Sequence, residues 1–385
     1  MWRHITSNFL SLMVVILIVA SGVILLAQSK YKAPGPLSEA MCLRVKSGSN
    51  MRKVSEELVD RGAVSSGTLF RMGANYQEKS QSLKAGSFLV TEGASMAEIV
   101  DIVTRGGRST CGTEVVYRVG IKRTEVQVRE LDPETNRYID KLVFIAAEDK
   151  DVPAQYTETR QQGDVRFRIA LAEGVTSWQI VESLKAADFL DGEVAEVPPE
   201  GMLAPDSYEV KEGDSRISVL ERMQEAQIAI LDEAWRNRAE GLPLASMEEA
   251  LTLASIVEKE TGVAEERGKV ASVFVNRLRQ GMRLQTDPTV IYGITKGQGI
   301  LGRGLRRSEL RRRTDYNTYQ IDGLPPGPIA NPGRAAIEAA VNPDSTDYLF
   351  FVADGTGGHA FAKTLKEHNE NVARWRKIEA ERNGN

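Results

Sequence analysis

The chain has 385 residues, 42% apolar and 26% charged, a globular composition long enough for two or three domains. Lys and Arg total 49 against 53 Asp and Glu, and the formal net charge of −4 argues against a nucleic-acid binder, whose phosphate contacts need a cationic face. Three His and two Cys without ligand spacing argue against a zinc or iron–sulfur centre, so no metal and no cofactor are expected.

Residues 9–27 (FLSLMVVILIVASGVILLA) carry no charge. At about 1.5 Å per residue the run reaches roughly 28 Å, close to the hydrocarbon thickness of a bilayer. It predicts a single-pass transmembrane helix behind a short N-terminus, residues 1–8. A cleaved signal peptide, with small residues at Ala20, Ser21 and Gly22, and a buried core helix are the alternatives. Arg3 precedes the span while Lys30 and Lys32 follow it, so positive charge does not settle the orientation.

Residues 28–39 (QSKYKAPGPLSE) read as a linker. A pattern then occurs three times. Gly48, Gly93 and Gly174 are each followed two residues on by a capping residue, Asn50, Ser95 and Thr176. Apolar residues come at six and ten after the Gly: Val54 and Leu58, Ile99 and Val103, Ile180 and Leu184. Each copy follows a strand-like stretch and reads as strand, glycine turn and capped amphipathic helix. Ser95 with Glu98 and Thr176 with Gln179 have capping-box spacing. Three generic strand-to-helix turns are the plainer reading.

The first copy, VKSGSNMRKVSEEL, resembles the opening of a LysM module, a small β/α fold that holds N-acetylglucosamine-containing glycans. Residues 40–112 would be that LysM-like α/β subdomain, bracketed by Cys42 and Cys111. The two Cys could bridge in an oxidising compartment or remain free thiols in the cytosol. Residues 113–170 alternate apolar and polar and predict a β-rich insertion. From 171 to 385 helical periodicity dominates, with helices over 217–238, 246–260, 264–280 and 369–382 and Gly281 as a C-cap glycine. The fold class expected is α+β.

One carboxylate breaks the pattern. On a wheel of residues 246–260, Leu253, Ile256 and Val257 share a face, and Glu260 falls within that apolar stripe. Glu258, two residues away, points elsewhere with Ser255. Burial would raise the Glu260 carboxyl pKa and suit it to general acid catalysis. A frayed helix end, or a pairing with Arg267, is the alternative.

SIVEKETGVAEERGKVASVFVNRLRQGMRLQTDPTVIYG, with TDYNTYQIDGLPPGPIANPG and YLFFVADGTGGHAFAKTLKEHN, closely resembles the MltG (YceG-like) family of endolytic murein transglycosylases. GMLAPDSYEV is similar to a further stretch of that family, and the likeness covers most of residues 200–370. The resemblance implies a YceG-like catalytic domain over 171–385. It also implies cleavage of the β-1,4 bond between N-acetylmuramic acid and N-acetylglucosamine in nascent glycan strands, leaving 1,6-anhydro ends and terminating elongation. The family's catalytic Glu corresponds to Glu260, the residue the wheel singles out. A lytic transglycosylase needs one acid/base where ordinary glycosidases need two carboxylates.

The partners implied are peptidoglycan strands, the inner membrane through residues 9–27, and the cell-wall synthesis machinery, with the body in the periplasm. A hydrolase of the same bond and a non-catalytic wall-binding scaffold are the rival functions. Tyr292, Tyr316 and Tyr319 could stack on sugars, and Gln285 and Asn317 could hold acetamido groups and hydroxyls, with core packing or turn formation as alternatives. Asp287 before Pro288 reads as a helix N-cap, and His359 as a loop residue whose ring either faces substrate or is satisfied within the loop. The segment GRGLRRSELRRR (302–313) is a solvated face or a contact for acidic stem peptides or phospholipid head groups.

Overall fold

The computed structural model describes residues 2–105, 110–145, 152–162 and 165–383. Met1, residues 106–109 of the expected LysM-like subdomain, 146–151 and 163–164 of the expected insertion, and 384–385 lie outside the described residues. The fold is mixed α and β, as expected. The chain divides into two compact units: Met1–Val115, Gln127–Val143 and Asp151–Arg166 form the first, and the remainder forms the second.

In the first unit, helix α1 (Trp2–Lys32) contains a segment, Leu12–Lys32, long and apolar enough to cross a membrane. Its apolar side chains are exposed, Leu17 at 57% and Ile18 at 66%. The helix does not stop at residue 27. Residues 28–32 complete it, and Tyr31 and Leu37 of the expected linker are buried in the core. The Gly35 amide donates to the Gly93 carbonyl at 3.0 Å and the Gly93 amide to Leu37 at 2.9 Å, so this stretch is part of the unit. One aromatic and one leucine suffice to dock a stretch whose Pro, Gly and polar content otherwise suit a linker.

There follow β1 (Met41–Val45), α2 (Met51–Asp60), α3 (Gly67–Tyr76), β2 (Gly86–Val90) and α4 (Met96–Thr104). Strands β1 and β2 pair antiparallel, with Met41 opposite Val90 and Val45 opposite Gly86. Leu43, Leu58, Phe70 and Ile99 fill the core between them and the helices. Asn50 and Ser95 cap α2 and α4, and Ser95 with Glu98 closes the expected capping box. Cys42 and Cys111 are joined in a disulfide, their Cα atoms 5.6 Å apart.

Strands β3 (Thr113–Val119), β4 (Thr124–Asp132) and β5 (Arg137–Ile145) precede α5 (Ala154–Arg160), β6 (Arg166–Leu171), α6 (Ser177–Ala186), β7 (Leu190–Asp191) and β8 (Ser207–Val210). One five-stranded sheet has the order β5-β4-β3-β6-β8, with Phe167 of β6 opposite Val210 of β8. The strands expected as a separate insertion therefore share a sheet with β8, beyond residue 171. Their alternating pattern specifies a half-buried sheet and not which strand completes it.

The rest of the second unit contains β9 (Asp214–Ser215), α7 (Arg216–Arg236), α8 (Met247–Glu260), a 3₁₀ turn (Ala264–Glu266), α9 (Arg267–Arg279), α10 (Asp287–Thr295), α11 (Arg307–Arg311), α12 (Arg334–Val341), the hairpin β10 (Phe350–Ala353) and β11 (His359–Ala362), and α13 (Leu365–Asn383). Helix α8 is its axis. Every residue from Ala250 to Val257 is buried, because α7, α9, α10 and α12 all pack against it. The single apolar face expected of this helix is therefore too narrow a description, and even Ser255 is buried, accepting the Ile329 amide at 3.0 Å. Gly281 follows α9 with φ +64°, where a side chain would be strained, and the Met282 amide closes the turn on Arg277 at 2.8 Å.

Candidate active site

Glu260 is the last residue of α8, where the helix carbonyls present their negative end. Burial pushes its carboxyl above the ordinary value of 4.5, and the charge of Asp287 pushes the same way. The Thr286 hydroxyl, His359 and Arg277 pull it back. The residue keeps a minor exposed fraction, so the desolvation comes from protein crowded around the carboxyl and not from complete closure.

Thr286 donates its hydroxyl to Glu260 Oε1. This threonine, not Asp287, is the N-cap of α10, and Asp287 is the first helical residue. Its side chain makes no capping hydrogen bond. A hydroxyl that would ordinarily satisfy a helix N-terminus is spent on the carboxyl of another helix. Buried threonines hold it there. The Thr286 amide donates to Thr318 Oγ1 at 3.0 Å, the Thr289 hydroxyl to the Thr286 carbonyl at 2.8 Å, and Thr289 and Thr318 Oγ1 atoms lie 2.9 Å apart.

Tyr319 follows directly and donates its hydroxyl to Asp287 Oδ1 at 2.7 Å. Asn317 precedes them and is fully buried. Its Nδ2 donates to the carbonyls of Glu309 at 3.0 Å, Leu310 at 3.2 Å and Arg312, and its Oδ1 accepts the Tyr319 amide at 3.0 Å. With its amide so committed, Asn317 is a brace for the loop and not a sugar-facing donor. A short polar side chain in a loop is ambiguous from sequence, since both roles use the same amide.

Gln285 is exposed at φ +51°, its amide bound to the Thr318 carbonyl at 3.2 Å, which leaves its side chain at the surface beside Thr286. Tyr292 and Tyr316 are half-buried, ring centroids 4.9 Å apart and planes at 50°. Tyr292 is also hydrogen-bonded to Glu200, whose carboxyl accepts the Ser177 amide at 2.8 Å and is raised mainly by burial. Tyr292 lines a cavity of about 330 Å³ with Lys259, Pro288, Ile291, Gly302 and Arg303. His359 opens β11 and is no loop residue; its Nδ1 lies 2.7 Å from Glu266 and its amide donates to the same carboxylate at 2.9 Å.

Glu258 is directed to a different partner, its Oε2 accepting the Gly333 amide at 3.0 Å. It lies off the Glu260 face, as the wheel expects, but is only partly exposed, and burial raises its carboxyl too. Lys259 donates to the Gly174 carbonyl at 3.1 Å, and burial lowers its ammonium. Arg267 lies 3.4 Å from Glu173, so it is not the partner of Glu260. Sequence reasoning missed Thr286, Thr318 and Glu200. The Thr-Asp-Pro run is a signal for Thr286, since a threonine directly before Asp-Pro can be the N-cap in place of the Asp.

The YceG-like family profile matches residues 145–374. The endolytic murein transglycosylase of Bacillus subtilis is 29% identical over 328 residues, 85% of this chain and 82% of that protein. The endolytic murein transglycosylase of Streptococcus pneumoniae serotype 2 is 28% identical over 334 residues, 85% of this chain but 56% of its own length. A crystal structure of a putative yceG-like protein from Listeria monocytogenes, at 25% identity, covers 86% of this chain and 98% of its own with a TM-score of 0.46.

Proposed function

The chain belongs to the YceG-like family, and from that membership and the placement of Glu260 we propose that it is a peptidoglycan lytic transglycosylase with Glu260 as its single acid/base. The observation that carries the proposal is a carboxyl at the end of α8 that burial pushes upward, still partly open to solvent, with the Thr286 hydroxyl donated to it. Protonated Glu260 gives its proton to the glycosidic oxygen between N-acetylmuramic acid and N-acetylglucosamine, and that C–O bond breaks. The resulting carboxylate takes the proton of the muramyl 6-hydroxyl, whose oxygen bonds to the anomeric carbon. Water does not enter, and a 1,6-anhydro end is left. In this scheme the Thr286 hydroxyl orients Glu260 and stabilises it in the interval when it is charged.

The relatives named endolytic murein transglycosylases support this substrate. In our reading α1 anchors the chain in the inner membrane with its body in the periplasm, where cutting nascent strands would end their elongation. The order β1-α2-α3-β2 supports reading residues 40–112 as a LysM-like, glycan-binding subdomain. Asp287 keeps one rival in play, because its exposed carboxylate acts electrostatically on Glu260 and could activate water.

Mass analysis of products from uncrosslinked strands separates these outcomes. Products one water lighter than hydrolysis products, absent with Glu260→Gln, are expected. Full-mass reducing ends would mean a hydrolase, and equal cleavage by Glu260→Gln would remove Glu260 from the mechanism.

A further inference from the structure

The segment 302–313 carries six arginines and one acidic residue, Glu309. Glu309 is occupied. Its carboxylate takes both Arg303 nitrogens, at 2.9 and 2.6 Å, and the Arg306 amide at 2.7 Å, which holds its carboxyl down at about 2. Arg307, Arg311, Arg312 and Arg313 are exposed, and among the described residues none of the four has an acidic partner within ion-pair distance. Four guanidinium groups thus stand on one short segment with no internal anion to neutralise them.

The segment is fixed, and to the same loop as the active site. Asn317 Nδ2 holds the Glu309, Leu310 and Arg312 carbonyls, and Gln320 Nε2 holds Leu310 at 2.9 Å. Between Asn317 and Gln320 lie Thr318 and Tyr319, which bind Thr286 and Asp287. A second link is the cavity of about 330 Å³. Lys259 and Pro288, the neighbours of Glu260 and Asp287, line it together with Gly302 and Arg303, where the arginine segment begins.

We propose that the exposed arginines 307, 311, 312 and 313 bind the carboxylates of the stem peptides carried by the glycan strand, and so make the enzyme select peptide-bearing over peptide-free strands. The inference rests on the proposed function and specifies its substrate further. A muramyl residue placed for cleavage carries its acidic peptide on the same sugar, and the arginine segment is braced against the loop that holds Thr286. Guanidinium groups suit this ligand because their planar donors meet a carboxylate two at a time. A membrane contact would need no coupling to the loop that holds Thr286.

The test uses the full chain in detergent micelles and two substrates, uncrosslinked strands with stem peptides and the same strands stripped by an amidase. The readout is the ratio of kcat/KM on the two. For the unaltered chain we expect a preference of roughly tenfold for peptide-bearing strands, the scale of a few exposed charge pairs acting together, carried by KM. In the combined variant Arg307→Gln, Arg311→Gln, Arg312→Gln the ratio should fall toward one, and raised salt should lower it in the unaltered chain. An equal rate on both strands overturns the inference alone. Cleavage of neither strand overturns the proposed function and the inference with it. A variant that differs from the unaltered chain only in phosphatidylglycerol nanodiscs, with the ratio intact, assigns the patch to lipid and overturns the inference.

Discussion

Gly201 and Gly241 form a matched pair for testing the packing around α8. Both have positive φ, +85° and +69°. A Cβ at Gly241 would meet nothing within 4 Å, whereas at Gly201 it would lie 2.8 Å from Cβ and Cγ of Pro328 and 3.2 Å from Leu251. Gly241→Ala should therefore incur only the left-handed backbone penalty, about 1–2 kcal/mol. Gly201→Ala should add overpacking of about 1–3 kcal/mol, because a proline ring and a buried leucine cannot swing aside. For a unit of this size, with about 2–4 °C per kcal/mol, the melting midpoint should fall by roughly 2–8 °C at Gly241 and 4–20 °C at Gly201. Circular dichroism melts of both variants measure the difference. Gly201 is also the neighbour of Glu200, and its carbonyl accepts Gln227 Nε2 at 2.8 Å, so the strain should reach the Tyr292 wall of the cavity. Equal melting points for the two variants would refute the contact with Pro328.

Thr286→Val removes a donor that favours the charged form of Glu260, so the carboxyl should rise further, and the high-pH limb of kcat/KM should move to higher pH while kcat falls; a limb that stays or moves down contradicts the hydrogen bond. Glu258 has its folded pKa raised, so its ionisation destabilises the fold, fully above the folded pKa and not at all below the ordinary 4.5. Glu258→Gln, which keeps an acceptor for the Gly333 amide, should therefore raise the melting point more at pH 8 than at pH 4, as paired melts would show. Reducing the disulfide, which closes a separation of 69 residues, should destabilise the first unit by about 4 kcal/mol on the chain-entropy estimate, read by urea unfolding with and without reductant.

Local signals in the sequence were dependable where they reported local physics. Ser95–Glu98 and Thr176–Gln179 form the boxes their spacing requires, because a cap is settled within four residues. Glu260 could be found because a carboxylate on an apolar stripe is anomalous whatever surrounds it. Its partners could not, since Thr286 lies 26 residues away and Thr318 farther still, and nothing in a Thr announces which hydroxyl turns to a distant helix. Glu258 and Ser255 lie off the Glu260 face, as the wheel has it, but what covers them is not legible there. A wheel describes one helix, whereas α8 is enclosed by four. Asn317 shows the limit at the site itself: its residue type fits a substrate donor, and only its three carbonyl partners reveal a brace.

The way α1 ends bears on how the first unit is held. At about 1.5 Å per residue its 31 residues extend roughly 46 Å, some 15 Å more than the hydrocarbon of a bilayer. The last turn is clasped: the Tyr31 ring lies so close to Gly73 of α3 that a Cβ there would overlap it. With α1 across a bilayer, the first unit is thus mounted on a stiff pillar and does not swing from a tether. A tethered enzyme samples a hemisphere of wall set by the length of its leash. A pillar fixes the standoff instead, so the first unit would be held at one height above the lipid.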